Sequence, residues 1–418
     1  MAQATGDLGI TTADGTPLKV ALARASRRSK IRAFLLVAPL LFFILITFIV
    51  PIGDMLLRSF DNAEVGEAIP ETVTLLKDWD TSALPDEEIY AAFRKEITNR
   101  DNRAALGRMS KRLNYETAGF RSLMNKTARK VKRAKPPFKD AFIKADKRWG
   151  EIDTWKTIKN AAPDYTMSYY YNALDRTTDP DGNIVMQPEY KQVYVKLFMK
   201  TIYVSLGVTI VCILLAYPIS FMLATLPLKY SNLLMIMVLL PFWTSLLVRT
   251  TSWIVLLQTN GVINDLLVWT GFVADDGRIT MIYNMTGTVV AMSHILLPFM
   301  VLPLYSVMKT ISPNYMRAAR SLGANPLVAF VRIYLPQTIP GVGAGSILVF
   351  ILAIGYYITP ALVGGQDGQL ISNFIAYHMK SSLNWGLAAA LGTILLAGVL
   401  AMYWLYDRIV GIDNMKFG

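Results

Sequence analysis

The stretch Met199–Ala224 reads MKTIYVSLGVTIVCILLAYPISFMLA, and past Lys200 at its edge it contains no charged side chain. A bilayer core of ~30 Å takes about 20 apolar residues as a helix. The stretch does not alternate as a barrel strand does, and only an internally satisfied backbone survives in hydrocarbon. It is therefore expected to be a membrane-spanning helix.

Working outward, five further runs meet the same length: 33–53, 233–257, 283–307, 340–362 and 386–407. The expected fold class is an all-α integral membrane protein of six spans, with a large, mostly helical external insert between spans one and two. Composition agrees. Only 17% of the 418 residues are charged and 53% are hydrophobic, whereas a soluble chain carries about a quarter charged residues. Charge is concentrated between residues 54 and 197, where acids and bases mix almost evenly. The net charge of +12 therefore reflects tails and short loops, and no compact basic module points to nucleic acid.

Those loops set the orientation. With the N-terminus inside, the inner side carries Lys19, Arg24, Arg27, Arg28, Lys30, Arg32, Lys229, Lys309, Arg317, Arg320, Arg332, Arg408 and Lys416. The outer short loops carry only Arg278 and Lys380, the positive-inside pattern. Both termini are then cytoplasmic. The first span is too long for a cleavable signal region and is followed by Pro51-Ile52-Gly53 rather than a cleavage site. The expected layout is a tail 1–32, a first span 33–53, an external insert 54–197, a membrane core 198–410 with a cytoplasmic loop 309–339, and a tail 411–418.

The insert reads as folded. Pro85-Asp86-Glu87-Glu88 starts a helix with acids at its positive end, and Ile89 and Phe93 share one face of it. A second helix is expected from Arg103 through Leu113. Trp149, Trp155 and Tyr169-Tyr170-Tyr171 offer apolar material for a small core. The basic stretch Lys126–Lys139 reads as a solvated face followed by a linker at Pro136-Pro137, or as an electrostatic docking surface. Cys212 is the only cysteine, so no disulfide forms within the chain. His294 and His378 are far apart and lack neighbouring ligands, so no metal site is expected.

The most specific signal is SPNYMRAARSLGANPLVAFVRIYLP, Ser312 to Pro336. Ser312 can cap a helix that Pro313 begins. Gly323 can end it in the left-handed conformation, and Asn325-Pro326 restarts the chain. Two short helices joined at an angle are expected. Ala318, Ala319 and Leu322 share a face whose small residues let another protein approach closely.

The spacing of Ala318-Ala319, Gly323, Ile333 and Leu335-Pro336 resembles the "EAA" loop of binding-protein-dependent ABC importer permeases. Arg317 stands where that family usually has Glu. Pro241-Phe242-Trp243-Thr244-Ser245 with Arg249, Leu297-Pro298-Phe299-Met300 and Gly364-Gly365 are similar to spermidine/putrescine-type permeases. The resemblance covers most of 199–410 and the first span, but not the insert. It implies a bacterial inner-membrane permease core of the type I importer fold. It also implies a cytoplasmic ABC ATPase dimer that binds ATP and Mg, a second permease subunit and an extracytoplasmic substrate-binding protein. Residues Arg317, Ala318, Ala319, Gly323, Ile333, Leu335 and Pro336 are then the ATPase-coupling loop. The solute is expected to be small and polar: a polyamine, or an amino-acid derivative, opine, phosphonate or sugar.

The translocation path is expected at Arg249, Tyr356, Tyr357, Thr359 and Ala361. An intramembrane arginine must face protein or water, so Arg249 either lines the path or is a buried arginine bonded to carbonyls or a carboxylate. In the resembled fold the fifth spans of two subunits face each other across the pathway. Tyr356 and Tyr357 then form an aromatic gate or serve as packing and interfacial anchors. Ala361 occupies a position where polyamine members commonly carry a carboxylate. No Gly-Lys pair exists for a phosphate loop, so the chain binds no cofactor itself and is not an enzyme. A secondary transporter would need a repeat and intramembrane carboxylates. A membrane-anchored receptor or scaffold would leave the helix pair 312–335 without a purpose.

Overall fold

The computed structural model describes residues 18–410; the expected tail 411–418 and the first 17 residues lie outside the described part. The chain forms two units, meeting at Arg58 and Ser59.

The first unit contains one apolar helix, α1 (Ser26–Arg58), longer than the expected 33–53. Its π turn at Leu45–Ile49 has a local cause. Pro51 lacks an N–H and its ring crowds the carbonyl four residues back, so the turn before it widens. A pair between Arg58 and Asp54 at 2.9 Å lies in its last turn.

In the second unit the insert comes first: α2 (Glu64–Ala68), α3 (Pro70–Asp78), α4 (Glu87–Thr98), α5 (Arg103–Glu116), α6 (Phe120–Val131), α7 (Phe138–Ala145), α8 (Ile152–Asn160) and α9 (Ser168–Ala173). A hairpin follows, β1 (Arg176–Thr178) antiparallel to β2 (Ile184–Met186). Ile89 and Phe93 are buried together with Trp149 and Trp155 in one core. Their polar tips are satisfied, as buried aromatics require. The Tyr90 hydroxyl donates to the Trp149 carbonyl at 2.8 Å, and Trp149 Nε1 donates to Thr127 Oγ1 at 2.7 Å.

Acids hold the helix starts. The Glu96 carboxylate accepts from the Glu71 amide at 2.7 Å and the Thr72 amide at 3.1 Å, at the start of α3. Glu87 does the same for the Phe138 and Lys139 amides at the start of α7. Pro136-Pro137 is therefore no free linker. It leads straight into a helix whose first amides are tied to α4. Lys126, Arg129 and Lys130 are the exposed face of α6, with Leu123, Thr127 and Val131 buried on the other.

None of the three tyrosines joins the insert's core. Tyr169, with Tyr170 beside it, packs with Ile371, Leu387, Ala390 and Leu391 of the membrane region. Its ring lies so close to Gly386 that a Cβ there would overlap it. The expectation that all three tyrosines serve a separate insert core fails at this point.

The membrane region comprises α10 (Tyr194–Thr225), α11 (Leu228–Trp243), α12 (Leu246–Leu257), α13 (Val262–Trp269), α14 (Met285–Thr310), α15 (Pro313–Ser321), α16 (Pro326–Gly355), α17 (Ile358–Val363), α18 (Ile371–Lys380) and α19 (Trp385–Val410). Two of the expected spans differ in form. The third, 233–257, is not straight: Leu228–Trp243 and Leu246–Trp269 meet at 101°. Pro241 and the extended Thr244 and Ser245 break it. The fifth, 340–362, begins earlier and ends earlier, because α16 stops at Gly355 and α17 starts only at Ile358. α14 and α16 pack closely. A Cβ at Gly341 would stand 3.0 Å from Val307, and one at Gly345 would stand 2.6 Å from Met300 Sδ. Small residues four apart let two membrane helices approach.

Candidate functional site

The loop 312–336 forms largely as its residues dictate. Ser312 Oγ accepts from the Asn314 amide at 3.3 Å. α15 ends where Gly323 takes φ +91° and the Ala324 amide reaches back to the Ala319 carbonyl at 3.1 Å, the closing bond of a left-handed helix end. Asn325 Oδ1 then accepts from the Val328 amide at 2.8 Å and caps the next helix. That second helix is not a separate short one. It runs without a break into span five through a π turn at Phe330–Tyr334. Pro336 follows the π turn as Pro51 follows the one in α1, and for the same steric reason.

The loop has a fixed base and a free top. Phe330 and Tyr334 stack at 5.6 Å, and Phe221 of α10 meets both edge-on at 5.8 and 5.4 Å. Met316 packs on the same cluster. Arg317, Ala318, Ile333, Leu335 and Pro336 are exposed and Ala319 is half-buried. Among the described residues Arg317 has no ion-pair partner. Leu322 is 88% exposed and Leu327 71%, which is apolar surface placed where a second protein can cover it.

The other end of α16 is built differently. The chain unwinds at Tyr356 and Tyr357, and unwound backbone inside a bundle needs substitute partners. α18, a helix that span counting did not anticipate, provides them. Ser372 Oγ donates to the Ile354 carbonyl at 2.7 Å and Asn373 Nδ2 to the Tyr357 carbonyl at 2.8 Å. Gly365, at φ +57°, closes the intervening turn against the Tyr283 backbone. At the far end of α18, His378 sits between the Tyr194 hydroxyl, 2.8 Å from Nε2, and Ser382 Oγ, 2.9 Å from Nδ1. Burial lowers its pKa to about 4, so the ring is neutral near pH 7.

Around the break, the structure brings together three of the five residues expected in a path, Arg249, Tyr356 and Thr359. Thr250 and Thr359 hydroxyls lie 3.3 Å apart. Arg249 is close enough to act electrostatically on both Tyr356 and His294. Its Nε is buried with no acceptor, and Arg249 makes no ion pair, among the described residues, so the carboxylate partner considered for it is not found there. Trp253 Nε1 donates to His294 Nδ1 at 3.1 Å, which places that ring's proton on Nε2. Tyr356 is half-buried beside Thr359. Tyr357 is turned differently, with Lys380 Nζ 5.3 Å above its ring. Ala361 is exposed. His294 and Trp253 were not anticipated as a unit, because 41 residues separate them.

Comparison with known proteins agrees with this geometry. Residues 196–410 match the family described as the binding-protein-dependent transport system inner membrane component. The spermidine/putrescine transport system permease protein PotB of Escherichia coli (strain K12) is 34% identical over 220 residues, covering 52% of this chain and 79% of that protein. The Haemophilus influenzae PotB is also 34% identical, over 228 residues, with 53% and 79% covered. The inner membrane ABC transporter permease protein YdcU of Escherichia coli (strain K12) is 30% identical over 225 residues, with 51% and 71% covered. Among solved structures, a bacterial alginate ABC transporter bound to its alginate-loaded periplasmic protein aligns at 19% identity and a TM-score of 0.45, over 54% of this chain and 81% of that one. The multi-span core, the match to the family model and the PotB relatives establish the chain as a member of the binding-protein-dependent transport family, a non-catalytic permease subunit of an ATP-driven importer in the inner membrane.

Proposed function

We propose that the chain forms half of a translocation path for a small polar solute, with its termini cytoplasmic and the insert 54–197 outside. A cytoplasmic ATPase dimer, which binds ATP and Mg, docks on the loop at Arg317, Ala318, Ala319, Gly323, Ile333, Leu335 and Pro336. A second permease completes the path, and a soluble binding protein delivers the solute. The observation that carries this reading is the form of α16. One continuous helix starts in the exposed docking loop and ends at the Tyr356–Tyr357 break, beside Arg249 and Thr359. Motion at Ile333, Leu335 and Pro336 therefore reaches the break along that helix, and Arg317, Ala318 and Ala319 act on it across the Gly323 turn.

The spermidine/putrescine relatives make a polyamine the first solute to test. Arg249 supports a second reading. A cation with a free donor beside Tyr356, and Ala361 rather than an acid, suits a solute bearing a carboxylate or phosphonate. Thermal-shift screening of the purified binding protein against spermidine, putrescine, amino-acid derivatives and phosphonates separates the two. In the reconstituted transporter, alanine at both Tyr356 and Tyr357 should raise basal ATPase activity or solute leak severalfold with assembly intact. Normal transport by that variant would make the two rings anchors and put the gate elsewhere.

A further inference from the structure

Several basic residues of the insert are matched with acids. Lys95 pairs with Glu71 at 2.7 Å, Arg108 with Glu67 at 2.9 Å, Arg112 with Glu116 at 2.6 Å, Lys126 with Asp146 at 2.9 Å, and Lys156 with Asp181 at 2.5 Å. One concavity gathers basic residues without acids. Between the end of α4, the start of α5 and the length of α6 lies an open groove of ≈ 930 Å³. Arg100, Arg103, Arg129 and Lys132 line it, and no carboxylate does. Among the described residues none of the four makes an ion pair. All four side chains are exposed, and Asp101 lies outside the lining. Four unpaired cations around one concavity repel one another, and an anionic surface removes that repulsion.

The position of the groove on α5 adds a mechanical argument. The first turns of α5, at Arg103, Leu106 and Gly107, form one wall. Its later turns are fastened to the turn before α19: Lys111 Nζ donates to the Leu383 carbonyl and the Tyr115 hydroxyl to the Ser382 carbonyl, each at 3.1 Å. Arg112, buried beneath, stacks 5.0 Å over the Tyr169 ring, the ring that packs against Gly386. Ser382 Oγ contacts His378 at one end of α18, and Asn373 near the other end holds the Tyr357 carbonyl. A helix of this length spans roughly 20 Å at about 1.5 Å per residue. α5 therefore joins the groove to the element that supports the break in span five through direct hydrogen bonds.

We propose that this groove is the docking surface for an acidic face of the soluble solute-delivering protein, and that α5 transmits docking to the 382–386 turn and α18. The inference rests on the permease reading above and adds the surface, its partner's charge and the route inward. Contiguity alone does not demonstrate coupling, so docking and transmission are tested separately. The full transporter, with its ATPase and second permease in nanodiscs, is titrated with its purified, solute-loaded binding protein while ATPase activity is followed.

Reversing the groove's charge (Arg100→Glu, Arg103→Glu, Arg129→Glu, Lys132→Glu) should raise the half-maximal binding-protein concentration tenfold or more. It should also abolish the weakening that added salt causes in the wild type, and leave basal activity unchanged. The pair Lys111→Met with Tyr115→Phe should leave the half-maximal concentration in place and lower maximal stimulation at least twofold. An unchanged titration in the fourfold variant overturns the docking surface. So does a loss that appears only in nanodiscs of anionic lipid, which would assign the groove to a membrane surface. Full stimulation in the double variant overturns the route. Absence of any stimulation in the wild type would count against the permease reading itself, not against the groove.

Discussion

The two ends of α16 are held by opposite means. At its start, the loop 312–336 is exposed and shaped by its own neighbours in sequence: Ser312 and Asn325 cap, Pro313 and Pro326 begin helices, and Gly323 turns the chain. At its finish, the break at Tyr356 and Tyr357 lies within the membrane region, and it is kept open by Ser372 and Asn373 from a different helix. A surface that a partner must grip can be defined locally, because water satisfies whatever the backbone leaves over. A break inside a membrane bundle cannot, since each freed carbonyl needs a donor from elsewhere in the fold.

This contrast can be challenged where it is strongest. A Cβ at Gly323 would meet nothing within 4 Å, so Gly323→Val acts through backbone conformation alone. A β-branched residue at φ +91° is a severe outlier, costing about 1–2 kcal/mol or more. Solute uptake should fall tenfold or more through loss of ATPase coupling, while the thermal midpoint of the membrane core barely moves. Unchanged uptake would remove the loop from the mechanism.

The complementary change at the other end is Asn373→Ala. It strips the donor from the Tyr357 carbonyl and the acceptor from the Leu370 amide, groups whose isolation costs about 1–3 kcal/mol each. Here the midpoint should drop by several degrees and basal ATPase activity should rise severalfold. A variant with normal stability and normal gating would mean that the break is held by its own turn, as the loop is, and the contrast would collapse.

The smallest effect belongs to the insert. Hydrogen bonds from Arg148 and Lys126 hold the Asp146 carboxyl below the usual carboxylate range. A depressed folded-state pKa adds stability above the unfolded value, near 3.9, and that contribution is lost as pH falls through the folded value. Asp146→Asn should therefore lower the insert's melting midpoint by a few degrees at pH 7. The gap from wild type should narrow progressively as pH falls below the unfolded value and vanish only below the depressed folded one. A gap independent of pH would assign Asp146 a role in packing instead of charge.

Much of the molecule was legible from residue order, and the reasons are local. Span positions follow from runs of apolar residues, because hydrocarbon excludes charge whatever the neighbours are. The caps of the loop follow from Ser, Pro, Gly and Asn, whose backbone preferences act within a few residues. Ile89, Phe93, Trp149 and Trp155 follow as a core because large apolar groups leave water wherever a partner is available. What residue order left open depends on partners distant along the chain. The 101° bend in span three, the fusion of the loop's second helix with span five and the existence of α18 as a support all required the fold. So did the transfer of Tyr169 from the insert to the membrane region, and the meeting of Arg249, Trp253 and His294 with Tyr356. In the last three of these a hydrogen bond or a packed ring joins residues tens to hundreds of positions apart, and only tertiary structure selects which of the many chemically suitable partners is in reach.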